Sequence, residues 1–185
     1  MRLFIHPKRI KIPVAIVSKA EKFAEQVIST VDYSDSNQQN IDKIRQDHFI
    51  SKIGEEAACA VFRHYAHFVS QPDYHIYRRQ QKSWDADIQV NGVEVAVKTQ
   101  RKTQAQKYGL SWTFQAAPYR KDPILQQPDQ WVCFVACDDL GVEPSYDCTV
   151  YPPQQIGELM FKDPILAHLK GKKLVVYADD LVQTH

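Results

Sequence analysis

The chain has 185 residues, a formal net charge of +1, and ordinary globular shares of apolar (44%) and charged (24%) side chains. That length favours one domain with a real core, and the near-neutral balance excludes a general basic field for nucleic acid, so any such binding rests on a local patch. No apolar run approaches the ~20 residues of a membrane span, the opening MRLFIHPKRIKIP lacks a signal-peptide core, and four cysteines without a CxxC pair read as reduced core thiols of a cytosolic protein.

Residues 3–17 predict a short extended segment broken by Pro7 and Pro13. Ser18-x-x-Glu21 has the spacing of a capping box and predicts a helix start, with Phe23, Ala24, Val27, Ile28 and Val31 as its buried stripe. The polar run over 32–40 reads as a loop, so residues 1–40 are expected as an N-terminal extension and 41–185 as the main α/β domain. From Ile41 to about Phe68 the pattern is helical with a break near Gly54, and Ile50, Ile53, Ala57, Ala60, Val61 and Phe68 form the apolar stripe. Glu55 and Glu56 follow Gly54, and a carboxylate beside such a stripe is commonly only its polar border.

Residues 74–79 predict a strand, followed by the turn QQKS. SWDADIQVNGVEVAVKTQ, residues 83–100, then reads as two strands joined by Asn91-Gly92, the dipeptide that best tolerates the positive φ angles of a two-residue turn. Alternation puts Trp84, Ala86, Ile88, Val90, Val93, Val95 and Val97 on one face. Asp85, Asp87, Gln89, Glu94, Lys98 and Gln100 fall on the other. Cross-strand neighbours sit about 5 Å apart and diagonal ones about 7–8 Å, which is the reach of a divalent cation with oxygen ligands and a lysine beside it. The same pattern also describes a half-exposed hairpin with a solvated face and an ordinary Asp–Lys pair.

RKTQAQKYG reads as a basic loop and LSWTFQAA as a strand. Residues 118–130 read as a surface connection, and WVCFVAC as a central strand buried on both faces. SYDCTVY predicts another strand, PPQQIGELM a helix with proline at its start, and KKLVVYA the strand that closes the sheet. KDPIL occurs at 121–125 and 162–166, each copy read as a helix start with Asp capping and Pro at the first position. The order predicts an α/β or α+β domain with a mixed central sheet flanked by helices. His64 and His67 lack the downstream His or Cys pair of a zinc set, and no Gly-rich phosphate loop or GxSxG elbow is present.

A helix carrying Gly-Glu (IGEEAACAVF), then a strand, then an Asp-bearing hairpin ending in Val-Lys-Thr-Gln resembles the PD-(D/E)XK nuclease superfamily, over roughly residues 49–151. The resemblance implies a restriction endonuclease-like core and Mg²⁺- or Mn²⁺-dependent hydrolysis of DNA phosphodiester bonds. It implies Asp87 as the first metal ligand, Lys98 as the motif lysine, Gln100 as the polar residue two places on, and Glu55 or Glu56 as the helix carboxylate. The acidic slot two residues before the lysine holds Ala96, and Glu94, Asp85 or the helix glutamate is the expected substitute. Arg78, Arg79 and Lys82 before the hairpin, and Arg101, Lys102 and Lys107 after it, are the candidate phosphate contacts. A homodimer is expected from the family, since cutting both strands commonly uses two sites. Two other readings stay open. One is a degenerate relative, marked by Ala96, that binds nucleic acid or a protein partner without cleavage; the other is an unrelated α/β protein whose hairpin imitates the motif.

Overall fold

A computed structural model describes residues 1–30, 40–77, 86–139 and 146–181. Outside them lie the predicted loop up to residue 39, the end of the predicted strand at 78–79, the QQKS turn, and the hairpin residues Trp84 and Asp85. In chain order come β1 (Lys8–Ile12), α1 (Val14–Thr30), α2 (Ile41–Phe62), β2 (Ile88–Val90), β3 (Val93–Arg101) and α3 (Lys102–Tyr108). β4 (Ser111–Ala117), β5 (Arg120–Lys121), β6 (Trp131–Asp138), β7 (Tyr146–Val150), β8 (Gln154–Gln155) and β9 (Lys173–Tyr177) follow.

The main sheet runs β1-β7-β6-β3-β2, with β8 beside β6. It is mixed: β3 and β6 are parallel, and the other pairs are antiparallel. A second, antiparallel sheet has the order β5-β4-β9. Alternation along β3 explains the layering. Val95 and Val97 pack with Ile53 and Ala57 of α2 and with Val17, Ala20 and Ala24 of α1 in one core. Ala96 points the other way, into a second core of Val132, Phe134, Trp112, Phe114 and Val176, which joins the two sheets. The Trp112 indole donates to the Val135 carbonyl at 3.0 Å across that interface. The result is an α/β protein with α1 and α2 on one face of a mixed sheet and a small sheet on the other. Residues 1–30 belong to it fully, since β1 pairs with β7 and α1 lies in the first core.

Several expectations are corrected. α1 starts at Val14, because the Pro13 carbonyl already accepts from Ile16 and Val17; Ser18 and Glu21 lie inside the helix. α2 runs unbroken through Gly54 and ends at Phe62, which leaves Phe68 55% exposed. Gly54 serves close approach: an added Cβ would stand 1.8 Å from Thr99 Oγ1 on β3. No strand forms over 74–77; instead Val69 bridges Val90 at the hairpin edge. The supposed loop after β3 is α3, made of helix-compatible Lys, Gln and Ala and closed by Gly109 at φ 77°. PPQQIGELM forms no α-helix: Gln154 and Gln155 pair with Val132 and Trp131, and only a 3₁₀ turn follows. The second KDPIL starts no helix, and β9 joins β4 in the second sheet rather than closing the main one.

Candidate functional site

The hairpin forms with the expected register: Val90 faces Val93, Gln89 faces Glu94, and Ile88 faces Val95. Asn91 and Gly92 adopt φ of 50° and 81°, the positive values that a two-residue hairpin turn requires. Asp87 stands just before β2, where its Oδ2 accepts from the Val97 N–H at 2.8 Å. That bond fixes the carboxylate beside the C-terminal half of β3.

There a cleft of about 1510 Å³ opens, and Asp87, Ala96, Lys98, Gln100 and Arg101 line it. α2 supplies Lys43, Asp47 and Ser51, residues four apart and hence on one helix face. The second sheet and its connections add Arg120, Asp122 and Lys173. Lys98 projects toward that sheet, its ammonium 4.8 Å from the Phe114 ring centroid and 3.1 Å from Asp122 Oδ2. The same Asp122 oxygen accepts from the Gln115 N–H at 3.1 Å. Asp122 thus spends its side chain on the site lysine and not on capping the 3₁₀ turn that begins at Pro123. Lys173 is half-buried; loss of water, and then the charge of Lys43, hold its ammonium below the ordinary lysine pKa, with Arg120 acting in the same direction. Asp122 and Asp47 act in the opposite direction.

The structure brings Asp87, Lys98, Gln100 and Arg101 together on the cleft, but not the other expected residues. Glu94 lies on the same face of β3 as Lys98, yet exposed at the turn end; Lys98 is four steps further along the strand, about 13 Å away. Glu55 is buried behind the cleft wall in a 2.6 Å ion pair with Lys52, and Ser51 donates to it at 3.3 Å. Glu56 turns toward α1, accepting from the Tyr74 hydroxyl at 3.1 Å and lying 3.6 Å from Lys19. Burial, and then the Glu56 charge, push the Tyr74 hydroxyl well above its ordinary pKa. Lys102 pairs with Asp138, and Lys107 lies exposed over the Tyr108 ring. Asp85, Arg78, Arg79 and Lys82 lie outside the described residues.

Sequence reasoning missed Lys43, Asp47, Arg120, Asp122 and Lys173. Only the four-residue spacing of Lys43, Asp47 and Ser51 was a local signal; the others arrive by tertiary pairing.

The chain matches no family model, no curated protein and no solved structure.

Among the described residues, no three His, Cys, Asp or Glu side chains gather as a metal cage. Mg²⁺ asks for less, one or two carboxylates and several retained waters. Asp87 and Asp47 both line the cleft, and each offers the hard carboxylate oxygen that a largely hydrated ion of that kind takes.

Proposed function

We propose that this chain is a nuclease of the PD-(D/E)XK type, with a restriction endonuclease-like core, that takes DNA into the cleft and hydrolyses its phosphodiester bonds with Mg²⁺ or Mn²⁺. The observation that carries this reading is that Asp87, Lys98 and Gln100 line one cleft at the C-terminal half of β3. Open sheets with parallel strands bind ligands at the carboxyl ends of those strands, and β3 lies parallel to β6.

A bound divalent ion would neutralise charge at the scissile phosphate and lower the pKa of an attacking water. Asp87, anchored by the Val97 N–H, offers its carboxylate to that ion, with Asp47 as its companion on α2. Lys98 is a compact point charge that exchanges Asp122 for a phosphate oxygen. Gln100 donates an amide hydrogen bond two residues further along the same face. Asp122 shields the lysine until substrate arrives.

Ala96 favours a second reading, in which the cleft holds nucleic acid without cutting it, because the slot beside Lys98 then has no acid of its own. Plasmid and oligonucleotide cleavage in Mg²⁺ or Mn²⁺ separates the two, comparing the native chain with Asp87→Ala and Lys98→Ala. Metal-dependent cleavage lost in both variants establishes the nuclease. Salt-sensitive binding without cleavage establishes the binder, and neither cleavage nor binding refutes both.

A further inference from the structure

We infer that Lys43, Arg120 and Lys173 form a second phosphate-binding subsite beside the Lys98–Asp122 pair, one that grips the sugar-phosphate backbone of a nucleic acid. The inference rests on the nuclease reading and adds to it a place for the substrate.

The three cations come from distant parts of the chain: the first turn of α2, the two-residue strand β5, and the first position of β9. Tertiary folding alone delivers them to one cleft. Lys43 and Arg120 are exposed there and Lys173 is half-buried, so all three reach a ligand. The packing of the two cores does not use them. Their mutual repulsion is real, since the charges of Lys43 and Arg120 both act against protonation of Lys173. Asp122 and Asp47 partly offset that repulsion, and an entering phosphate takes their place as the counter-charge of the three cations. Asp122 ties this group to the motif lysine: it bonds Lys98 directly, and its charge also acts on Lys173. Lys98 and the three cations thus line one cleft with Asp122 among them, a run of positive charge that suits more than one phosphate of a backbone. The cleft volume of about 1510 Å³ exceeds the roughly 300–1,000 Å³ of small-molecule sites, which favours a polymer over a free nucleotide or inorganic phosphate.

The test is fluorescence anisotropy of a short labelled DNA with the full chain at several salt concentrations, in EDTA so that no cleavage intervenes. Lys43→Gln, Arg120→Gln and Lys173→Gln are compared with Lys22→Gln, whose side chain is exposed on α1 and off the cleft. Each cleft variant is expected to weaken binding several-fold at low salt and to flatten the slope of log Kd against log salt by about one, the signature of one lost phosphate contact. Lys22→Gln leaves both unchanged. Native binding with unchanged affinity and slope in all three cleft variants overturns the subsite and leaves the nuclease reading standing. Absence of salt-sensitive binding by the native chain overturns the subsite, and the cleavage assay in Mg²⁺ or Mn²⁺ then decides the nuclease reading by itself.

Discussion

A methyl group on Gly54 tests how α2 lies on the hairpin. Its Cβ would stand 1.8 Å from Thr99 Oγ1 and 2.8 Å from both Thr99 Cβ and Cγ2. Rotation about the Thr99 side chain relieves Oγ1 and Cγ2 but cannot move its Cβ. Carbon atoms rest at about 3.5–4.0 Å, so helix and strand must part by roughly 1 Å. Overpacking on that scale costs about 3 kcal/mol, and the better helix propensity of alanine returns about 1 kcal/mol. Gly54→Ala is therefore expected to lose about 2 kcal/mol, or roughly 4–8 °C in Tm for a chain of this size. Urea unfolding followed by circular dichroism measures the loss, with the m-value unchanged. Thr99→Ala in the Gly54→Ala background recovers part of it, because two of the three clashing atoms are gone. A Gly54→Ala protein as stable as the native chain would refute the contact, and with it the placement of α2 that puts Asp47 on the cleft.

Three further outcomes are expected. Asp122→Asn weakens the hold on Lys98 and tightens binding of a labelled oligonucleotide severalfold; the gain disappears in the Lys98→Ala background, and its persistence there would show that the pair is not responsible. Glu55→Gln leaves the Lys52 ammonium buried without its partner and lowers stability by about 3–5 kcal/mol; Lys52→Met added to it restores much of the unfolding midpoint in urea. The third concerns acid. Arg2 donates to Glu158 at 2.7 Å and holds its carboxyl below the usual carboxylate range. A folded-state pKa below the unfolded value of 4.5 gives stability that is present above 4.5 and lost as pH falls through the folded value. Arg2→Ala should thus lower stability at pH 6 and flatten its decline below pH 4.5, which thermal melts across that range would reveal.

What could be read in advance was local. Asn91-Gly92 and strict alternation gave the hairpin, its register and the shared face of Lys98 and Gln100. The unbroken apolar run 131–137 gave a central strand, because a strand covered on both faces carries no alternation to misread. Alternation names a face and not a distance, so Glu94 was grouped with Lys98 though a long stretch of strand lies between them. Glu55 looked available until its pairing with Lys52 appeared. The second sheet escaped notice because β4 and β9 find each other across sixty residues of chain, and no neighbouring residue announces such a pairing. Arg120, Asp122 and Lys173 were hidden for the same reason.

The pairing of β1 with β7, Lys8 opposite Val150, also sets an order of events during synthesis. β1 leaves the ribosome well ahead of its partner, a delay of roughly 10–30 s at ordinary translation rates. Through that interval α1 and α2 can form and dock, but the sheet edge stays open. Closure of β1 is a late, long-range step of the kind that slows folding. A chain that completes β7 before β1 has found it presents a bare strand edge to its neighbours, so aggregation on refolding should rise with protein concentration and fall when β1 residues are supplied in trans as a peptide.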